Sequence, residues 1–204
     1  MTHTLTAKEQ SLAKIFSDDY VFTIPGYQRP YAWGKDQAQE LLDDLLGAMA
    51  TAPEQLSEAA PYFLGSIVLI KGEAQPEATV VDGQQRLTTL TLLLSAIRAS
   101  VQDSAVQTGV TKRIYEHGDV VSATQARYRL SLRERDRDFF RQYVQHEDGM
   151  AKLLELSSQL PDAQARILAN AQIFMTGLAK LSQGELVRLV QFIITRCYLV
   201  TVAT

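Results

Sequence analysis

Five consecutive residues, Asp82, Gly83, Gln84, Gln85 and Arg86, separate two very apolar segments. The β-branched run Thr79-Val-Val81 precedes them, and a leucine-rich segment with helical periodicity follows from Leu87. A strand that feeds a helix through such a junction aims several free backbone N–H groups at one point. Arg86 falls on the first helical turn and can add a planar guanidinium there. Asp82 places a carboxylate at the strand's end. These residue types suit recognition of a phosphate or polyphosphate, with the acid serving a divalent metal ion or a water molecule. A simpler arrangement also fits. Asp-Gly is a common turn, Asp82 can N-cap the helix, and Arg86 can lie on the surface. A plain reversal needs only two residues, so the length of the polar stretch favours function.

A second group lies in Tyr27-Gln-Arg-Pro-Tyr-Ala-Trp33, which neither alternates nor follows a helical period. Tyr31 and Trp33 can stack on a base, and Arg29 can grip a phosphate. Aromatics beside proline also anchor loops in cores, and for Trp33 that reading is preferred. Gln28 and Arg29 form a polar pair inside an aromatic loop and need partners. Glu40, Asp43 and Asp44 share one helix; a metal site is conceivable, but a solvated face opposite the leucines explains them more simply. Arg127, Arg129, Arg133, Arg135, Arg137 and Arg141 make the dense basic stretch, interleaved with Glu134, Asp136 and Asp138. It suits DNA phosphates or internal salt bridges equally. His3, His117 and His146 stand in no metal-ligand spacing. The glycines are scattered, which excludes a P-loop.

The elements that must position these groups follow from periodicity and caps. Thr6-Ala-Lys-Glu9 reads as a capping box opening a helix over about 7–17, with Leu12, Ile15 and Phe16 inward. Tyr20 to Ile24 reads as a strand stopped by Pro25-Gly26. Lys35 to about Ala50 is a helix with Leu41, Leu42, Leu45, Leu46 and Met49 on one face. Tyr62 to Ile70 reads as a central strand. A strand over Thr79 to Val81 leads to a helix over about 84–101, with Leu87, Leu90, Leu94, Ile97 and Val101 as its buried stripe. Residues 102–125 read as loop with some helix, and Arg127 to Leu132 as a short strand or extended segment. Helices follow over Asp136 to Val144, 150–157 and Asp162 to Leu181. Ser182-Gln-Gly-Glu185 is a second capping box, and Cys197 to Val202 is a strand candidate. A buried-looking strand at the last residues suggests a fragment of a longer protein.

The chain has 204 residues, 46% of them hydrophobic, and a formal net charge of −3. That is ample for a core and argues against a surface that is basic throughout. Cys197 is the only cysteine, so no intrachain disulfide can form. This fits a reducing cytoplasm, as does an N-terminus without a signal-peptide core. Apolar runs fall far short of the roughly 18 residues a membrane span needs.

Three segments together resemble one family: Ile24-Pro-Gly-Tyr-Gln-Arg-Pro-Tyr-Ala-Trp33, Tyr62-Phe-Leu-Gly-Ser-Ile-Val-Leu69 and Val81-Asp-Gly-Gln-Gln-Arg-Leu-Thr-Thr-Leu90. Their order and spacing are similar to those of the N-terminal DGQQR domain of GmrSD-type, modification-dependent restriction proteins, which is related to the ParB and sulfiredoxin fold. The segment Arg135 to Phe140 and the helix holding Asn170 also resemble that family. The resemblance implies a module that binds and hydrolyses nucleoside triphosphates, or senses them, in defence against phage DNA. It implies DNA, often modified, as a partner of the full protein, and a separate C-terminal nuclease domain of HNH type. It also implies that Gln28 and Arg29 face the same pocket as Asp82.

The expected fold is α+β: a small mixed sheet of ParB/sulfiredoxin-like type over 1–100, with a mostly helical subdomain over 101–204. The last strand is expected to return to the sheet. Gly83, Arg86, Thr88, Tyr27, Gln28 and Arg29 are expected to hold the nucleotide. Asp82, Gln84, Gln85 and Arg86 are expected to act on it with Mg²⁺, Asp82 as metal ligand and Gln84 or Gln85 orienting the water. Two alternatives remain: a sensor of nucleotide or modified DNA without turnover, and a ParB-like nuclease domain.

Overall fold

The first element overturns an expectation. Residues Thr6–Ser11 form a strand, β1, where Thr6 and Glu9 predicted a helical start. Only Leu12–Ile15 is helical (α1), and Leu12, Ile15 and Phe16 are buried as expected. The local capping pattern lost to pairing. β1 lies antiparallel to the last strand in six residue pairs, from Thr6↔Ala203 to Ser11↔Tyr198. That ladder satisfies backbone groups that a short isolated helix would hold only marginally. The computed structural model describes residues 6–72, 75–118, 121, 123, 125–157 and 159–203; His3 lies outside them.

β2 (Val21–Thr23) and α2 (Lys35–Ala50) follow where the sequence placed them. Leu42, Leu45 and Met49 of α2 are buried, while Glu40, Asp43 and Asp44 are exposed. A 3₁₀ turn at Leu56–Glu58 leads to β3 (Tyr62–Lys71), then β4 (Glu77–Asp82) and α3 (Gln84–Ser100). The region expected to be loop with some helix contains α4 (Ser104–Ile114), started by an Asp103 side chain that accepts from the N–H groups of Ala105 and Val106. Three short strands come next: β5 (Tyr115–Glu116), β6 (Arg127–Tyr128) and β7 (Leu130–Ser131). α5 (Glu134–Phe140) runs into a π-helical turn at Arg141–Gln145, and α6 (Gly149–Leu154), α7 (Asp162–Leu178) and α8 (Gln183–Arg196) follow. Ser182 and Glu185 form the expected capping box of α8. The chain returns as β8 (Cys197–Ala203).

The main sheet has six strands in the order β1-β8-β3-β4-β2-β7. It is mixed, because β8 is antiparallel to β1 and parallel to β3, while β3 is antiparallel to β4. The fold is α+β. β8 and β7, from the second half of the chain, enter the same sheet as β2, β3 and β4, and one hydrophobic cluster runs through both halves. β5 and β6 pair separately.

β3 is central by its pairing, yet one of its faces is open: Ile67 and Leu69 are buried, whereas Phe63 and Ile70 are exposed. α3 exceeds its predicted stripe and is buried on every side from Leu87 to Arg98. Its threonines meet this by back-bonding: the Thr88, Thr89 and Thr91 hydroxyls donate to the carbonyls of Gln84, Gln85 and Leu87, each at 2.8 Å. No helix among the described residues is long and apolar enough to cross a membrane.

Candidate functional site

Three adjacent strands, β4, β2 and β7, run parallel. Their carboxyl ends therefore open on one side of the sheet, where open sheets that mix helices and strands commonly bind ligands. Each end delivers polar side chains. β4 leads through Gly83 into α3, β2 leads into the loop 25–33, and β7 leads into α5.

Gly83 sets the first junction. It is left-handed, with φ 92° and ψ 8°. A Cβ there would lie 2.5 Å from Cγ2 of Ile67 on β3, so only glycine lets the helix start this close to the strand. No side chain caps α3. Its first N–H groups are left for a ligand or solvent.

The loop 25–33 is tied to this helix start. The Gln28 amide donates to the Val81 carbonyl at 2.7 Å and accepts from the Gln84 amide at 3.2 Å. Gln85 holds the other half of the loop. Its side-chain oxygen accepts from the N–H groups of Ala32 (2.7 Å) and Trp33 (3.3 Å), and its nitrogen donates to the Pro30 carbonyl (3.0 Å). Buried amides so engaged act as fixed struts. Tyr31 lies behind them, 6% exposed, its hydroxyl 2.8 Å from Thr89 Oγ1 and accepting from Asn170 Nδ2 at 2.8 Å. Burial pushes the Tyr31 phenol above its ordinary pKa. Trp33 is half-buried and packs on the core, while Tyr27 is 77% exposed.

The expected residues divide around the first turn of α3. On one side a narrow cleft of about 10 Å³ is lined by Arg29, Gln84, Gln85 and Thr88, joined by Arg133 and Asp136 at the end of β7. Small-molecule sites commonly enclose roughly 300–1,000 Å³, so this cleft as it stands has room for about one water molecule and must widen to admit a phosphate group. On the other side Arg86 reaches β3. Its Nη1 donates to the Ser66 carbonyl at 2.9 Å, and its guanidinium lies 3.0 Å from where a Cβ of Gly65 would stand. Gly65 (φ 103°) sits in the β3 irregularity between Phe63 and Ser66 and makes room for it. Burial lowers the Arg86 pKa, and the nearby Asp82 carboxylate opposes that shift. Asp82 itself is exposed at the end of β4.

Other charged groups lie apart from this end of the sheet. Arg129, 3% exposed, is clamped by Asp18 (2.6 Å) and Glu116 (2.9 Å), and Arg141 stacks over the Tyr128 ring at 4.6 Å. Internal pairing accounts for both. His117 meets Glu147 at 3.0 Å and His146 pairs with Asp148, a gathering that the sequence spacing hid. Among the described residues no three His, Cys, Asp or Glu side chains group as metal ligands. A Mg²⁺ ion commonly needs only one or two carboxylates beside phosphate oxygens and waters, and the exposed Asp82 carboxylate fits that smaller demand.

A comparison with curated protein sequences gave no match. Residues 12–204 match the family described as GmrSD restriction endonuclease, N-terminal domain. That match spans nearly the whole chain and includes all three strand ends. The chain belongs to the family of GmrSD restriction endonuclease N-terminal domains and is a module of a restriction system.

Proposed function

We infer that this module binds a nucleoside triphosphate at the carboxyl ends of β4, β2 and β7 and hydrolyses it. The observation that carries this reading is the convergence of Arg29, Gln84 and Thr88 on one cleft beside the uncapped start of α3. The free N–H groups of α3 and the Arg29 guanidinium neutralise phosphate charge. Gln84 turns its amide from Gln28 to orient the attacking water, while Gln85 stays in place as the strut of the loop. Tyr27, exposed beside these groups, offers a ring for the base. Asp82, exposed at the end of β4, would hold a Mg²⁺ ion, which would supply charge neutralisation to the phosphates. Arg86 fixes the β3 irregularity against the helix and adds positive potential.

In the full protein the proposed partners are DNA, including modified DNA, and a C-terminal nuclease domain of HNH type. A sensor without turnover is the second reading. It is favoured by the engagement of Gln84 with Gln28 and of Asp136 with Arg133, which leaves the cleft short of a free base. Calorimetric titration of the chain with the four nucleoside triphosphates, with and without Mg²⁺, tests binding; phosphate release under the same conditions separates hydrolysis from sensing. Binding of none of the four would overturn hydrolysis and nucleotide sensing alike, and leave sensing of modified DNA as the reading to test. The chain alone is expected to leave modified and unmodified plasmid intact in Mg²⁺ or Mn²⁺, since metal-assisted cleavage needs a cluster of ligands and a base. Nicking that disappears in Asp82→Ala would instead make this domain the nuclease.

A further inference from the structure

Arg133 enters the cleft from the third strand end. β7 is parallel to β2, and the Ile24 N–H donates to the Ser131 carbonyl at 2.9 Å, so the chain after β7 runs beside the start of the loop 25–33. The Arg133 carbonyl then accepts from Asp136 (3.0 Å) and Arg137 (2.9 Å), which fixes the first turn of α5. That turn sets the Asp136 carboxylate 2.8 Å from Arg133 Nη2. The side chains are 19% and 8% exposed. Nη1 of Arg133 donates to the Gln28 carbonyl at 3.4 Å, a long contact in the same loop that carries Arg29. A guanidinium has five N–H donors, and only these two bonds use them among the described residues.

We propose that Arg133, aimed by Asp136, contacts a phosphate that enters as this cleft widens, and latches the loop of Gln28 and Arg29 onto it. Asp136 acts through Arg133 and is a positioning residue. It leaves a planar cation with spare donors beside Arg29 rather than a flexible one. When a phosphate enters, Arg133 and Arg29 grip it from two strand ends while the N–H groups of α3 face it from the third. The inference rests on the nucleotide reading above.

The test uses the whole chain and a set of probes: the four nucleoside triphosphates with Mg²⁺, inorganic tripolyphosphate, and the phosphate-free nucleosides. Arg133→Ala should weaken the triphosphates and tripolyphosphate by about 10–100-fold, the loss of one charge-assisted hydrogen bond. It should leave any nucleoside binding unchanged. Arg133→Lys should recover part of the loss, and Asp136→Asn should weaken the triphosphates severalfold while keeping the arginine. If Arg133→Ala loses its circular dichroism signal, the Lys and Asn variants decide. An unaltered triphosphate affinity in Arg133→Ala, or an equal loss for nucleoside and triphosphate, would overturn the role of Arg133 and leave the nucleotide site standing. A parent chain that binds none of the phosphate probes would end the nucleotide reading and this inference with it.

Discussion

Replacing Gly83 with alanine tests whether the α3 junction is built as described. Two costs add at this position. The backbone is left-handed at φ 92°, a conformation that costs an ordinary residue about 1–2 kcal/mol. The new Cβ would also stand 2.5 Å from Ile67 Cγ2 and 3.2 Å from Ile67 Cα. The nearest atom belongs to a fully buried side chain packed on β3, so it cannot swing aside freely. Overpacking of this kind costs typically about 1–3 kcal/mol. Together the two predict that Gly83→Ala lowers unfolding stability by about 2–5 kcal/mol, read from urea midpoints at an unchanged slope. Gly83→Asn separates the contributions. Asparagine tolerates the left-handed region but carries the same Cβ, so it should still lose about 1–3 kcal/mol. A Gly83→Asn variant as stable as the parent would refute the close approach to Ile67, and with it the geometry of the helix start.

Other outcomes follow from the charged and buried groups. Arg86→Ala should reduce triphosphate affinity by only about 2–5-fold, since its guanidinium donates to the Ser66 carbonyl and adds potential without lining the cleft; a loss of about 100-fold would instead mean that Arg86 grips the phosphate directly. Asp18→Asn or Glu116→Gln alone should cost little, since each leaves Arg129 one exposed partner. The double variant strands a buried guanidinium and should cost about 3–5 kcal/mol; simple additivity in a thermal or urea series would contradict that. Burial pushes the Cys197 thiol from 9.0 to about 12. The folded state thus favours the protonated thiol, so its contribution is complete below pH 9.0 and lost as pH rises toward about 12. Compared with Cys197→Ala, the parent should lose about 1.4 kcal/mol more per pH unit in that window; parallel pH–stability curves would mean the thiol is not desolvated.

Local signals that agreed with the tertiary structure were legible in the sequence. The leucine face of α2, the Ser182 capping box and the strand at Cys197 needed only their own residues. The Thr6 capping box misled because its competitor, the edge of β8, lies 197 residues away in the chain. Loop-closing partners at that distance leave no local trace. The full burial of α3 was hidden for a related reason: its threonines look polar until their hydroxyls are seen to bond within the helix. At the site, the turn at Asp82 was visible as an overlong polar stretch, and its meeting with Gln28 and Arg29 came from the family resemblance. Burial of Tyr31 and exposure of Tyr27 could not be separated in a loop where both are aromatic. Arg133 was one arginine among six in a basic stretch; only the register of β7 against β2 singles it out.

Hydrogen exchange measured with and without a nucleoside triphosphate and Mg²⁺ reads all three strand ends at once, and so tests whether they form one nucleotide site. Joint slowing of exchange is expected in 25–33, in 83–88 and in 131–137, with little change at the Gln102 and Gln183 surface, where a wider depression lies. Protection confined to another surface, or none in any of the three segments at saturating nucleotide, would contradict that single site.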